Sequence, residues 1–167
     1  SKQKTIFIGD VNIHQKPTGI ELANIAIGVA QNAKKLGFIP KVAILSYSNF
    51  GNPSGSNTKT INDCLKILED KKVSFEFDGE MTAEVALDYN LIKENYPFCK
   101  LSGPANVLIM PDLYSANISF KLLQKMENLS VIGPIMIGGN NPFQIVQMGA
   151  SVSDIVNSAC ISTYNSL

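Results

Sequence analysis

Short apolar runs alternate along this chain with longer segments whose apolar residues recur at helical spacing. The runs predict strands at residues 5–10, 41–46, 73–77, 105–110 and 131–137. The other segments predict helices over residues 20–36, 58–71, 82–87, 114–126 and 152–164. Because strands that alternate with helices pair in parallel through crossovers, we predict an α/β fold with a layered α/β/α arrangement and a mostly parallel sheet.

In such a sheet, ligands bind beyond the C-terminal ends of the strands. The loops expected there cover residues 9–12, 46–57, 78–80, 111–117 and 138–142. The loop 46–57 is polar and too long for a plain turn, which is typical of a functional or mobile segment. We expect residues 78–80 to close an edge strand, because residues 73–77 alternate strictly between apolar and polar.

Composition narrows the possible functions. The 167 residues are 45% hydrophobic and 17% charged, and 14 basic residues balance 14 acidic ones. This balance argues against nucleic acid and anionic membranes as partners and favours a small molecule or a protein. No apolar run approaches the roughly 20 residues of a membrane span. Three widely spaced cysteines and the lack of an export signal predict a cytoplasmic protein with free thiols.

The candidate chemistry is sparse. All 14 basic residues are lysines, so no arginine can clamp a phosphate in a bidentate way. We predict no metal site, because the lone His14 lies in a polar loop and is expected to be solvated. Neither a dinucleotide-binding glycine motif nor a P-loop is present. The hydroxyls of Ser46 and Ser48 have no nearby histidine in the sequence to act as a base.

Polar residues at two helix starts have two interpretations each. Asp154 either complements the dipole of the last helix, in a box with Ser151, or acts as a general base. Asp112 and Asn117 flank the start of the helix predicted at 114–126, and Lys121 lies near its second turn. These residues either cap that helix or bind a ligand.

Five sequence blocks then identify a family pattern. They are LSYSNFG (45–51), DGEM (78–81), GPANVLIMP (103–111), SANISFKL (115–122) and IGPIMIG (132–138). In this order they resemble the phosphate acetyl/butyryltransferase family over essentially the whole chain. The resemblance implies the C-terminal half of a two-subdomain unit, with an α/β subdomain at 1–140 and a final segment, 141–167, that packs on the other, absent subdomain.

Three blocks are more similar to the phosphotransacetylase-like region of large bacterial malic enzymes: DGEM (78–81), PFCKLSGPAN (97–106) and SVSDIVN (151–157). Genuine transacetylases carry a Ser-Arg pair before the final helix and an Asp within it. Here the pair falls on Gln147 and Met148, and the Asp on Asp154. In the transferase reaction a carboxylate takes the CoA thiol proton and an arginine steadies the acyl phosphate. Losing such a fixed donor typically costs on the order of 10²–10³ in rate.

The resemblance therefore implies a regulatory, acyl-CoA-sensing and oligomerisation domain of an NAD(P)-dependent malic enzyme. The parent chain would decarboxylate malate oxidatively to pyruvate, with NAD(P) and Mg or Mn held in the absent catalytic part. No cofactor is expected here beyond acetyl-CoA or CoA as ligand, and a homodimer or higher homo-oligomer is expected. The residues expected to contact the ligand are Ser46, Ser48, Asn49, Asn117, Lys121 and Gln147.

Two alternatives stay open. One is an active phosphate acetyl/butyryltransferase in which Asp154 is the catalytic base and Lys121 or Ser46 binds the acyl phosphate. The other is a dimerisation module without a ligand.

Overall fold

The computed structural model describes residues 4–53, 58–127, 129–139 and 141–165. The chain forms two compact units, Ser1–Ile118 and Ser119–Leu167. The subdomain boundary at residue 140, which the family resemblance implies, stays a prediction. That residues 141–167 pack on another subdomain stays a prediction.

The first unit contains a four-stranded parallel sheet. Its strands are β1 (Phe7–Gly9), β2 (Lys41–Leu45), β3 (Glu76–Met81) and β4 (Val107–Ile109). Their order is β1-β4-β2-β3, and every neighbouring pair is parallel. The predicted parallel sheet is confirmed, and all four C-terminal ends meet at one edge.

The described residues form six helices. They are α1 (Gly19–Lys35), α2 (Thr58–Asp70), α3 (Ala83–Leu87), α4 (Tyr89–Asn95), α5 (Leu113–Leu123) and α6 (Val152–Asn165). The sequence did not predict α4. At the start of α1, Thr18 and Glu21 form a capping box, and Gly37 follows its last turn with φ +86°. Glycine tolerates this left-handed backbone without a steric penalty.

Apolar clusters cover both faces of the sheet. Successive residues of a strand point to opposite faces, and β2 shows the consequence. Val42 and Ile44 belong to a cluster with residues of α1 and α2, whereas Ala43 and Leu45 belong to a cluster with residues of α3 and α4. Each fully buried large aliphatic side chain contributes about 1.5–3 kcal/mol to folding. The layered α/β/α class is confirmed.

The third strand begins and ends later than predicted. It covers Glu76–Met81 rather than residues 73–77, so residues 78–80 lie inside the strand and do not close it. Hydrogen bonds make this possible, since Asp78 Oδ2 accepts from the backbone N–H of Lys100 at 2.7 Å and Glu80 accepts from Ser48. The strand does lie at an edge of the sheet, as expected.

Residues 131–137 form no strand, contrary to the prediction. Pro134 has no N–H to donate, and Gly133 has φ +134°, so regular pairing is interrupted here. The backbone N–H and C=O of Met136 bond instead to the side-chain amide of Gln144, at 2.9 and 3.2 Å.

The helix α5 is shorter than predicted, and the face that it buries is not the predicted one. The apolar spacing over 114–126 predicts a buried face made of Ile118, Leu122, Leu123 and Met126. Of these residues, Ile118, Leu122 and Met126 are each more than half exposed. The buried positions are Ala116 and Phe120. Residues four apart lie on the same side of a helix, so Ala116 and Phe120 form its buried face. The helical spacing was predicted correctly, whereas the choice of the buried face was wrong.

None of the described helices combines the length and the apolar character that a membrane crossing requires. All three cysteines are free thiols.

Candidate functional site

An irregularity in β3 places a carboxylate at the C-terminal edge of the sheet. Ile44 of β2 pairs with Gly79, whereas the next residue, Leu45, pairs with Met81. Glu80 therefore has no partner in β2 and is the extra residue of a β-bulge. Such bulges redirect side chains and are frequent beside functional sites. Glu80 is only 2% exposed.

Glu80 is the centre of a hydrogen-bond network with the loop after β2. Ser48 Oγ donates to Glu80 Oε1, and the hydroxyl oxygens of Ser46 and Ser48 are 3.0 Å apart. The backbone N–H of Gly51 donates to the same Oε1 at 3.3 Å, and that of Phe50 donates to the Glu80 carbonyl at 2.7 Å. We call Ser46, Ser48 and Glu80 the serine–glutamate cluster.

A tight turn continues this loop. Asn49 and Asn52 exchange two backbone hydrogen bonds of 3.0 and 3.1 Å. The central residues Phe50 and Gly51 have φ +51° and +88°, as a type I′ turn requires. Asn49 Oδ1 also accepts from the backbone N–H of Thr82 at 2.8 Å, which ties the turn to the end of β3.

Phe50 holds an unusual backbone conformation for a bulky residue, because positive φ is disfavoured by its Cβ. Its ring centroid lies 5.2 Å from that of Tyr96 and 4.9 Å from that of Phe98. Such aromatic pairs contribute about 0.5–1.5 kcal/mol beyond the area they bury, which offsets the backbone penalty. The turn is therefore held from two sides, by Glu80 and by aromatic packing.

A second polar group follows β1. Asp10 accepts hydrogen bonds from the backbone N–H groups of Asn12 (2.9 Å), Ile13 (3.1 Å) and His14 (2.9 Å). Its Oδ2 also lies 2.7 Å from His14 Nδ1. The expectation of a solvated histidine is corrected, because one ring nitrogen is bound to this carboxylate. The His14 side chain remains 38% exposed.

The electrostatics of Asp10 follow from these contacts. Burial by itself raises the pKa of a carboxyl group, but the backbone N–H groups and His14 outweigh it, so the pKa of Asp10 lies below its ordinary value of 3.8. Asp10 is thus a carboxylate that organises its own loop.

The start of α5 contacts the same loop. Asn117 Nδ2 donates to the carbonyl of Val11 at 3.2 Å and to Asn12 Oδ1 at 3.3 Å. Asp112 Oδ1 accepts from the backbone N–H of Ser115 at 2.8 Å, which supports the capping interpretation of Asp112. Asn117 therefore joins α5 to the loop after β1.

A cavity of about 340 Å³ opens at the ends of β1 and β4. Its lining includes Lys16, Thr18, Thr60 and Asp112. The capping box at the start of α1 borders this cavity, and it occupies the backbone N–H groups of Thr18 and Glu21.

In the second unit, two predicted ligand residues contact each other. Lys121 Nζ donates to Gln147 Oε1 at 3.2 Å, and both side chains are exposed. Met148 is fully exposed. A thioether cannot supply the positive charge of an arginine at this position.

Asp154 forms the predicted capping box at the start of α6. Its Oδ2 accepts from the hydroxyl of Ser151 at 2.7 Å and from the backbone N–H of Ser151 at 2.9 Å, and Ser151 Oγ accepts from the Asp154 N–H at 3.2 Å. These bonds to Ser151 lower the pKa of Asp154 below its ordinary value of 3.8. The capping interpretation is confirmed, whereas a role as catalytic base stays a prediction.

The predicted site residues thus fall into separate groups. Ser46, Ser48 and Asn49 come together at β3, Asn117 lies against the loop after β1, and Lys121 and Gln147 form a pair. Sequence reasoning missed Glu80, Asp10 and His14 as members of these groups. The DGEM block was the available signal for Glu80, but residues 78–80 were assigned to a turn.

Among the described residues, no group of three or more His, Cys, Asp or Glu side chains could hold a metal ion. The available chemistry is hydrogen bonding by hydroxyl, amide and carboxylate groups, with lysine as the cation.

Comparison with known proteins agrees with this architecture. A family model described as Phosphate acetyl/butaryl transferase matches residues 1–163. The chain is 48% identical to the NADP-dependent malic enzyme of Rhizobium meliloti over 97% of its own length and 21% of that protein. It is 38% identical to the phosphate acetyltransferase of Helicobacter pylori over 92% of its length and 30% of that protein. The chain therefore spans about a fifth to a third of these relatives.

Solved structures show the same fold. The EutD phosphotransacetylase from Staphylococcus aureus superposes with a TM-score of 0.90 at 28% identity, over 100% of this chain and 52% of that one. A phosphotransacetylase from Streptococcus pyogenes gives 0.89 at 31% identity, over 95% of this chain and 48% of that one. With the match over residues 1–163, these similarities show that the chain belongs to the phosphate acetyl/butyryltransferase family.

Proposed function

We propose that this chain is an acyl-CoA-binding regulatory domain of an NAD(P)-dependent malic enzyme. The 48% identity to such an enzyme over 97% of the chain supports the assignment. Malate decarboxylation, with its NAD(P) and divalent metal, would take place in the remaining part of the full-length protein. Acetyl-CoA or CoA would act by binding two states of the whole enzyme with different affinity.

The observation that carries this proposal is the lack of any arginine in the 167 residues. An acyl phosphate and its anionic transition state need a fixed cationic donor, and the family's arginine position is occupied by the exposed Met148. Asp154 also makes a weak base, because its hydrogen bonds to Ser151 lower its pKa. Binding without transfer chemistry fits these residues.

Calorimetric titration of acetyl-CoA into the full-length protein tests this proposal, together with an assay of acetyl phosphate formation from acetyl-CoA and phosphate. We expect saturable binding without turnover. Turnover at a rate typical of enzymes, about 1–10³ s⁻¹, would contradict the regulatory assignment. Lack of binding would leave only a structural role, such as dimerisation.

An active phosphate acyltransferase is the second candidate, favoured by the similarity to phosphotransacetylases over the whole chain. In this case Asp154 is the base, and Lys121 or Ser46 binds the acyl phosphate. Restoring the family pair with Gln147→Ser and Met148→Arg should then raise any residual transferase rate by about 10²-fold or more. Unchanged activity in this double variant would count against the candidate.

A further inference from the structure

In the serine–glutamate cluster, the geometry determines which group donates and which accepts each hydrogen bond. Glu80 Oε1 accepts from the backbone N–H of Gly51, which can only donate, and Ser48 donates its single hydroxyl proton to the same oxygen. Ser48 Oγ then has no proton left for Ser46, which lies 3.0 Å away. The hydroxyl of Ser46 must therefore donate to Ser48.

This order of donors and acceptors determines what Ser46, the half-buried member of the cluster, can offer to a ligand. Its only hydroxyl proton points toward Ser48, and the backbone N–H of Ser48 lies 3.4 Å from Ser46 Oγ. What Ser46 has left for a ligand is acceptor capacity. It would match an N–H or O–H donor and would be a poor neighbour for a phosphoryl oxygen, which is itself an acceptor.

The burial of Glu80 in this arrangement lowers the stability of the folded protein. Glu80 is 2% exposed, and its second oxygen, Oε2, is buried without a hydrogen-bond partner among the described residues. A buried carboxyl oxygen left without a partner costs stability, because it loses its hydrogen bonds to water and gains none in return. A bulge in β3 nevertheless places the carboxylate beside Ser48.

We propose that Glu80 is a positioning residue that orients Ser46, through Ser48, as a hydrogen-bond acceptor for an N–H donor of the ligand. Resting on the proposed function, this inference points to the pantetheine arm of an acyl-CoA, which carries two amide N–H groups. Glu80 itself need not touch the ligand. Its backbone and side-chain bonds to Phe50 and Gly51 hold the same loop in place.

The test is calorimetric titration of acetyl-CoA into the full-length protein and its variants Ser46→Ala, Glu80→Gln and the double variant. Ser46→Ala removes the acceptor, and Glu80→Gln makes the direction of the bonds ambiguous, because an amide can donate or accept. We expect each substitution to weaken binding about 3- to 10-fold. The double variant should bind no more weakly than the weaker single variant, because both act on one contact.

Two controls separate positioning from general damage. Glu84→Gln makes the same substitution at an exposed position in the first turn of α3, and this variant should bind acetyl-CoA as the unaltered protein does. Ser46→Thr keeps the hydroxyl and should restore most of the affinity lost in Ser46→Ala. If a thermal melt shows that Glu80→Gln does not fold, the acetyl-CoA affinities of Ser46→Ala and Ser46→Thr test whether the hydroxyl of Ser46 contacts the ligand.

Binding that is indifferent to Ser46→Ala, or additive losses in the double variant, would overturn this inference alone. Absence of acetyl-CoA binding by the unaltered protein would overturn the proposed function and the inference together.

Discussion

At the scale of single residues, Asp10 shows how one carboxylate stabilises a loop. Three backbone N–H groups and His14 bind its charged form, which lowers its pKa despite partial burial. A group with a lowered folded-state pKa stabilises the protein above its unfolded pKa. This contribution disappears as the pH falls through the folded-state value.

Asp10→Asn should lower the free energy of unfolding by about 1–3 kcal/mol at pH 7, because the backbone donors lose a charged acceptor. The difference from the unaltered protein should narrow as the pH falls from 3.8, where Asp10 is half protonated in the unfolded chain, through the lower folded-state pKa. Urea unfolding at pH 7 and at pH 3 measures both effects. Asp63→Asn, at an exposed position in α2, is the control. Equal stability of the Asp10 variant at pH 7 would contradict this account.

Two cysteines should be inert in the folded protein. Burial raises the pKa of Cys64 to about 12 and that of Cys99 to about 11, where the charge of Asp78 adds to the effect. Because the thiolate is the reactive form, neither should react appreciably with a maleimide at pH 7.5. In a Cys160→Ser background, labelling should begin only when urea unfolds the protein. Fast labelling under native conditions would show that these thiols are accessible.

At the scale of elements, β3 shows what the sequence could and could not reveal. The alternation at residues 73–77 is real, since Val73, Phe75 and Phe77 all pack against the cluster that contains α1 and α2. However, alternation reports which side chains pack and not which backbone groups pair. The pairing continues through Asp78 and Gly79 to Met81, with Glu80 as the bulge residue. The hydrogen-bond partners of Asp78 and Glu80, Lys100 and Ser48, lie 22 and 32 residues away along the chain, where a local pattern cannot reveal them.

Other elements show the same difference between what local patterns predict and what depends on distant residues. Period and propensity predicted α1 within one residue, because its capping box and its apolar stripe are both local. The strand predicted at 131–137, with a break at Gly133 and Pro134, is absent, because the effect of these two residues on pairing extends over the whole apolar run. The face of α5 depends on its tertiary neighbours, which no single segment encodes.

Gly79 should be required for the pairing of β3 with β2. A Cβ at this position would lie 2.8 Å from the carbonyl oxygen of Ile44 and 2.9 Å from its Cβ. Because part of the obstacle is backbone, Gly79→Ala should destabilise the fold by about 1–3 kcal/mol in urea unfolding. Gly103→Ala is the matched control, since its Cβ would meet only the flexible end of Lys41, at 3.0 Å. Equal losses in both variants would refute the close approach.

At the scale of the whole molecule, the chain matches only part of the length of its relatives. It spans 21% of a related malic enzyme and 52% of a related phosphotransacetylase chain. Its second unit carries large apolar side chains that are more than half exposed, including those of Leu122, Met126, Val152, Ile155 and Val156. That residues 141–167 pack on another part of the full-length protein stays a prediction.

We propose above all that acyl-CoA binding to this domain regulates the activity of a malate-decarboxylating enzyme. The most direct measurement is the rate of malate-dependent NADP reduction by the full-length protein as acetyl-CoA is raised. We predict a saturable change in rate with a midpoint equal to the calorimetric Kd, and a midpoint about 3- to 10-fold higher in Ser46→Ala. A rate that stays constant while acetyl-CoA binding saturates would contradict the claim.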